Sequence, residues 1–65
     1  MLSPFKKKLI IGFIKRNIAR GYIDIADSQI SEHIDDLSED ECTELYTLLE
    51  NKLAEMEEAA AEPEE

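Results

Sequence analysis

Cysteine is almost missing from this chain. Cys42 stands alone among 65 residues, so no disulfide can staple the fold. With His33 as the single histidine, no set of thiolate and imidazole ligands can enclose a zinc ion either. A lone thiol suits a reducing compartment, and a cytoplasmic location is expected. Glycine occurs twice, at the isolated positions Gly12 and Gly21, which excludes a glycine-rich phosphate loop. Long apolar runs are missing too. The run Leu9–Ile14 follows Lys6-Lys7-Lys8 as the core of a signal peptide would, but it stops at Lys15-Arg16. A signal core needs about 7–15 apolar residues and a membrane span about 20, and no small-residue cleavage site follows. Neither is expected.

Basic residues are the other scarce class, and their distribution is uneven. Residues 1–20 hold six bases and no acid, whereas residues 21–65 hold sixteen acids and one base, Lys52. The net charge of −9 disfavours tight nucleic-acid binding and favours a partner with a basic surface. The simplest role for the basic segment is to neutralise part of the acidic remainder.

The residues that are present read as three helices. The first is predicted over 4–20, with Ser3 as N-cap, Pro4 at the first helical position and Gly21 just past the end. Phe5, Leu9, Ile10, Ile11, Phe13, Ile14 and Ile18 cover more than half of its circumference. A helix lying on one core needs a stripe only somewhat wider than 100°. This one is therefore expected to be covered on two sides, or to build a homodimer. The second helix is predicted over 26–36, from the spacing Ala26, Ile30, Ile34, Leu37, with Asp24 or Asp27 as cap. The third is predicted over 39–60. Ser38 and Glu41 form a capping box, flanked by Leu37 and Cys42 as a hydrophobic staple. Beyond it, Cys42, Tyr46, Leu49, Leu53, Met56 and Ala60 repeat at spacings of four and three. Residues 1–60 are thus expected to form one all-α domain, a small three-helix bundle. Residues 61–65 are read as a disordered acidic tail. The expected core is Leu9, Phe13, Ile14, Ile30, Ile34, Leu45, Tyr46, Leu49 and Leu53.

No catalytic constellation is visible. His33 has no nucleophile at a readable spacing, Cys42 reads as a small core residue, and pairs such as Asp35-Asp36 lack the spacing of a calcium loop. No cofactor, metal site or enzymatic activity is expected. At this length a single core seldom supplies more than about 3–5 kcal/mol, so stability is expected to draw on self-association or a partner.

One resemblance bears on the partner. The series Ile23-Asp24, Leu37-Ser38-Glu39-Asp40-Glu41, Leu45-Tyr46 and Lys52-Leu53-Ala54-Glu55-Met56 resembles the Hha/YmoA family of small bacterial nucleoid modulators. Phe13, Ile14 and Arg16 align more loosely. Arg20 stands where that family has a cysteine, and Glu57–Glu65 replaces an aromatic-rich segment. The resemblance implies docking on the dimerisation region of an H-NS-like nucleoid protein through acids at Asp24, Asp27, Glu39 and Glu50. It also implies basic residues facing DNA, for which only Lys15, Arg16 and Arg20 are available. The functional expectation is a small acidic interaction module that modulates gene expression. The alternatives are an acidic inhibitor of phage or plasmid type that mimics nucleic acid, and a homodimeric assembly subunit.

Overall fold

A computed structural model of the chain describes residues 3–60; the expected tail, 61–65, lies outside the described residues. Three α-helices succeed one another: α1 (Pro4–Ala19), α2 (Ile23–Glu32) and α3 (Glu39–Ala60), with a short 3₁₀ turn at Ile34–Asp36 before α3. They form the small all-α bundle read from the sequence.

Local chemistry sets most of the boundaries. Ser3 is extended, and its Oγ accepts from the Lys6 N–H at 3.2 Å. The far end of α1 closes in a Schellman motif. The Gly21 N–H donates to the Ile18 carbonyl, and the Tyr22 N–H reaches back to the Asn17 carbonyl, both at 2.9 Å. This closure needs the left-handed φ of +85° that Gly21 supplies.

The turn is so tight that α2 starts three residues before the predicted position. Ile23 is already helical, and the Ala26 N–H donates to the Tyr22 carbonyl at 3.0 Å. Asp24 and Asp27 therefore lie inside the helix and do not cap it. Asp24 remains in the first turn, where the helix dipole favours an acid.

The second helix also ends earlier than expected. His33 leaves the helical region at φ −108°, ψ 18°, and the chain tightens into the 3₁₀ turn. Three residues per turn in place of 3.6 rotates the side chains downstream of His33 about the axis. Ile34 would have joined Ile30 on the core face of a continuous helix; it is instead 49 % exposed, and Leu37 takes the inward position. The capping box of α3 forms as read. The Glu41 N–H donates to Ser38 Oγ at 3.1 Å, and the Ser38 N–H donates to Glu41 Oε1 at 2.7 Å.

The chain runs up, down and up, so α1 and α3 are parallel. Lys7 meets Glu41 near their starts, and Ala19 lies beside Lys52 and Glu55 near their ends. The buried core is Ile14, Ile18, Ala26, Ile30, Leu37, Leu45 and Leu49, with Ile10, Ile11, Ile23, Cys42 and Tyr46 packed around it. Leu9, Phe13 and Leu53 join Ile34 among the expected core residues that stand partly outside. Leu9 and Phe13 lie roughly 100–180° around α1 from Ile14 and Ile18, so two neighbouring helices cannot cover both sets. Leu53 belongs to the inward seam of α3, but α1 and α2 give out at its level. At the next position of that seam, Met56 lies against the Gly21 turn, with its Sδ 3.4 Å from the place a Cβ on Gly21 would take.

Candidate functional site

Three of the four acids singled out in the sequence share one flank. On α3, Glu41, Glu44 and Leu48 define the side that faces α1. Glu50 lies roughly 120–180° around the helix from them, beside Tyr46 on the side toward α2. On α2, Gln29 faces α1, since Asn17 Nδ2 donates to its Oε1 at 2.8 Å. Asp27 lies on the opposite edge, toward α3, and Asp24 one step further outward. Because α2 runs antiparallel to α3, Asp24 and Asp27 come level with the middle and upper part of α3, where Glu50 stands. Glu39 shares that side of α3 but lies about 16 Å away along the axis, at 1.5 Å per residue. Helix geometry thus puts Asp24, Asp27 and Glu50 on one flank and Glu39 further along α3.

These three acids are exposed and make no ion pair among the described residues. The acids that face α1 differ. Glu41 lies 3.3 Å from Lys7 Nζ, and Glu44 lies 3.4 Å from Lys15 Nζ. Glu41 is also the acid with a perturbed titration. The hydrogen bond from the Ser38 backbone N–H holds its carboxyl below the ordinary value of 4.5 against the opposing effect of desolvation, with further help from Lys7 and the Ser38 hydroxyl.

The expected neutralisation of the basic segment is therefore partial. Lys7 and Lys15 are paired, whereas Lys6, Lys8, Arg16 and Arg20 form no salt bridge among the described residues. Lys15, Arg16 and Arg20 do not act as one set. Lys15 turns toward α3, while Arg16 and Arg20 point outward from α1.

That outward face holds residues not selected from the sequence as functional. Phe5, Leu9 and Phe13 line it at 71, 45 and 53 % exposure. Their spacing of four and four was the available signal, but the broad apolar pattern of the helix gave no means of choosing which arc would turn inward. An open groove of about 430 Å³ between α1 and α3 is lined by Ile18, Ala19 and Leu48, together with Lys15, Asn51, Lys52 and Glu55. Lys52 and Glu55 are paired across 3.4 Å, so the groove offers no convergent reactive groups.

His33 is about one-third exposed, with Nδ1 4.0 Å from Asp36 Oδ2. Cys42 is a partly buried free thiol against the core. Among the described residues no cluster of three or more His, Cys, Asp or Glu side chains could hold a metal ion, and no helix is long and apolar enough to cross a membrane. The chain matches no protein-family model, no curated protein and no solved structure.

Proposed function

We propose that the protein is a protein–protein interaction module that engages a basic surface of a gene regulator, of the H-NS-like nucleoid type, through the flank of Asp24, Asp27 and Glu50. The observation that carries this reading is the contrast between the two sides of α3. Carboxylates facing α1 are already matched by lysines, whereas this flank presents three exposed carboxylates with no paired base among the described residues. Such charges steer encounter and fix register, and they gain further strength where docking strips their water. The scaffold suits that task, because α2 and α3 are held by shared core residues beneath the flank and the carboxylates project from regular helix. The chemistry is that of a binding protein and not of an enzyme.

The test is a titration of the N-terminal dimerisation region of an H-NS-like protein with purified variants. Replacing Asp24 and Asp27 by Asn and Glu50 by Gln should weaken binding by at least about tenfold, the scale of losing one desolvated charge contact. Rising salt should weaken the parent complex, since exposed charges are screened over about 8–10 Å. Removing residues 61–65 also takes away three acids, Glu62, Glu64 and Glu65. It should leave binding nearly unchanged if position matters more than total charge. Equal losses from the two variants would favour nucleic-acid mimicry, in which total charge counts. Full-strength binding by the triple variant would overturn the reading.

A further inference from the structure

The outer face of α1 is unlike the rest of the surface. Phe5, Leu9 and Phe13 fall within an arc of roughly 80°, turned away from Ile10, Ile14 and Ile18 on the core side. Exposed bases surround it: Lys6 and Lys8 stand to either side of the arc, and Arg16 and Arg20 continue its line beyond Phe13. None of the four is paired among the described residues, and α1 contains no acid. Gly12 lies beside the arc, and no atom of the described residues comes within 4 Å of the position its Cβ would take, so none of them roofs this part of the helix.

We propose that this face of α1 docks flat on an anionic lipid surface. Phe5, Leu9 and Phe13 enter the boundary between headgroups and acyl chains, while Lys6, Lys8, Arg16 and Arg20 meet the acidic headgroups. A helix with an apolar stripe bordered by Lys and Arg is the form that binds in the plane of such an interface. Here the bundle supplies what an isolated peptide lacks, because the helix is already folded and its inward stripe is satisfied by α2 and α3.

Shape and charge select lipid over a second copy of the chain. The face is a convex ridge with protruding side chains, whereas a helix-binding site is a groove. A two-fold contact through this face would bring the unpaired bases of the two copies together with no acid on either α1 to offset them. A contact with the acidic flank of another copy would join surfaces on opposite sides of the bundle. Such a head-to-tail contact does not close and leads to open chains. The net charge of −9 does not forbid approach to an anionic membrane. Glu41 and Glu44, on the side of α3 that faces α1, are paired with Lys7 and Lys15. Asp24, Asp27 and Glu50 lie on the far side, beyond an interhelical spacing of about 8–10 Å, which is about one screening length at physiological salt. The acidic flank remains free when α1 is on the lipid.

The experiment is co-sedimentation of the full chain with vesicles of phosphatidylcholine alone and of phosphatidylcholine with phosphatidylglycerol. Binding is expected only to the second. The Phe5→Ser, Phe13→Ser variant should bind at least about tenfold more weakly, the scale expected when most of the inserted apolar area is lost. Phe5→Leu, Phe13→Leu should retain most of the binding, and Lys8→Gln, Arg16→Gln should lose it together with much of its salt dependence. Circular dichroism of each variant separates lost binding from lost folding. Absence of binding to the anionic vesicles overturns the proposal. So does parental binding by the serine variant, or a tight complex with a single-stranded oligonucleotide in place of vesicles. Self-association abolished by the serine variant, with no vesicle binding, overturns it in favour of a second copy.

Discussion

Replacing Ile14 by Ala, and separately its neighbour Phe13 by Ala, probes two positions about 100° apart around α1 that differ in burial. Ile14 is fully buried, whereas Phe13 is 53 % exposed. Truncating Ile14 removes three carbons at about 0.8 kcal/mol each, or roughly 2.4 kcal/mol of transfer free energy. The cavity left behind raises the cost toward the usual range of about 2–5 kcal/mol. A core this small supplies only about 3–5 kcal/mol in all, so Ile14→Ala should leave a chain that is largely unfolded or close to it. Phe13→Ala should cost less than about 1 kcal/mol, since half of that side chain is already in water and Ala is the better helix former. Urea denaturation followed by far-ultraviolet circular dichroism reads both effects. At about 1 kcal/mol per molar urea, the low end for small proteins, the Ile14 variant should lose roughly 2–5 M in midpoint and the Phe13 variant less than about 1 M. A Phe13 variant as damaged as the Ile14 variant would refute the assignment of faces. If its loss also varied with protein concentration, the outer face of α1 would be covered by another copy.

Single contacts give further expected outcomes. Ser38→Ala removes the acceptor for the Glu41 N–H and should cost about 0.5–2 kcal/mol in chemical denaturation. Glu41 titrates below 4.5 in the folded state, so the stabilisation it contributes is present above that pH and is lost as the pH falls through the folded-state value. Glu41→Gln keeps a side chain able to accept the Ser38 N–H bond but loses the charge, so it should lower neutral-pH stability slightly and flatten the acid limb of a stability–pH curve. Gly12→Ala should raise the melting midpoint, with a gain of about 0.5–1 kcal/mol, because open space meets the new methyl; Gly21→Ala should lower it, because φ is +85° there. Leu49→Ala should cost about 2–5 kcal/mol, and Leu53→Ala distinctly less in the same assay, since Leu49 is 7 % and Leu53 38 % exposed.

The parts of this fold that were legible in the sequence are those decided within a few residues. Ser3-Pro4, Gly21 and Ser38–Glu41 each act on backbone groups at most five positions away, so their residue types suffice to place a helix end. The early start of α2 escaped because it depends on how sharply Gly21 reverses the chain, which leaves no distinct residue signature. The early end at His33 escaped because Ile34 and Leu37 keep a helical spacing while the backbone tightens between them. The faces of α1 were harder still. Seven large apolar residues around one helix state that more area exists than a small core can cover, but only the placement of α2 and α3 selects Ile10, Ile14 and Ile18 over Phe5, Leu9 and Phe13. The charge groupings share that limit: Asp24, Asp27 and Glu50 are neighbours only because α2 folds back along α3.

The parallel course of α1 and α3 gives the two helices unequal endings. Both place the negative pole of their dipoles at the same end of the bundle. The last turn of α1 carries Arg16, with Arg20 at its cap; the last turn of α3 has no base, and Glu57 and Glu58 lie close to it. The final turns of α3 are thus opposed by their own electrostatics and extend past the side chains that could hold them. Under hydrogen exchange α3 should behave as a helix that unravels inward from one end. Amides after Met56 should open at little free-energy cost, the Met56–Gly21 contact should act as the first stop, and the amides around Leu45 and Leu49 should exchange only when the whole bundle opens.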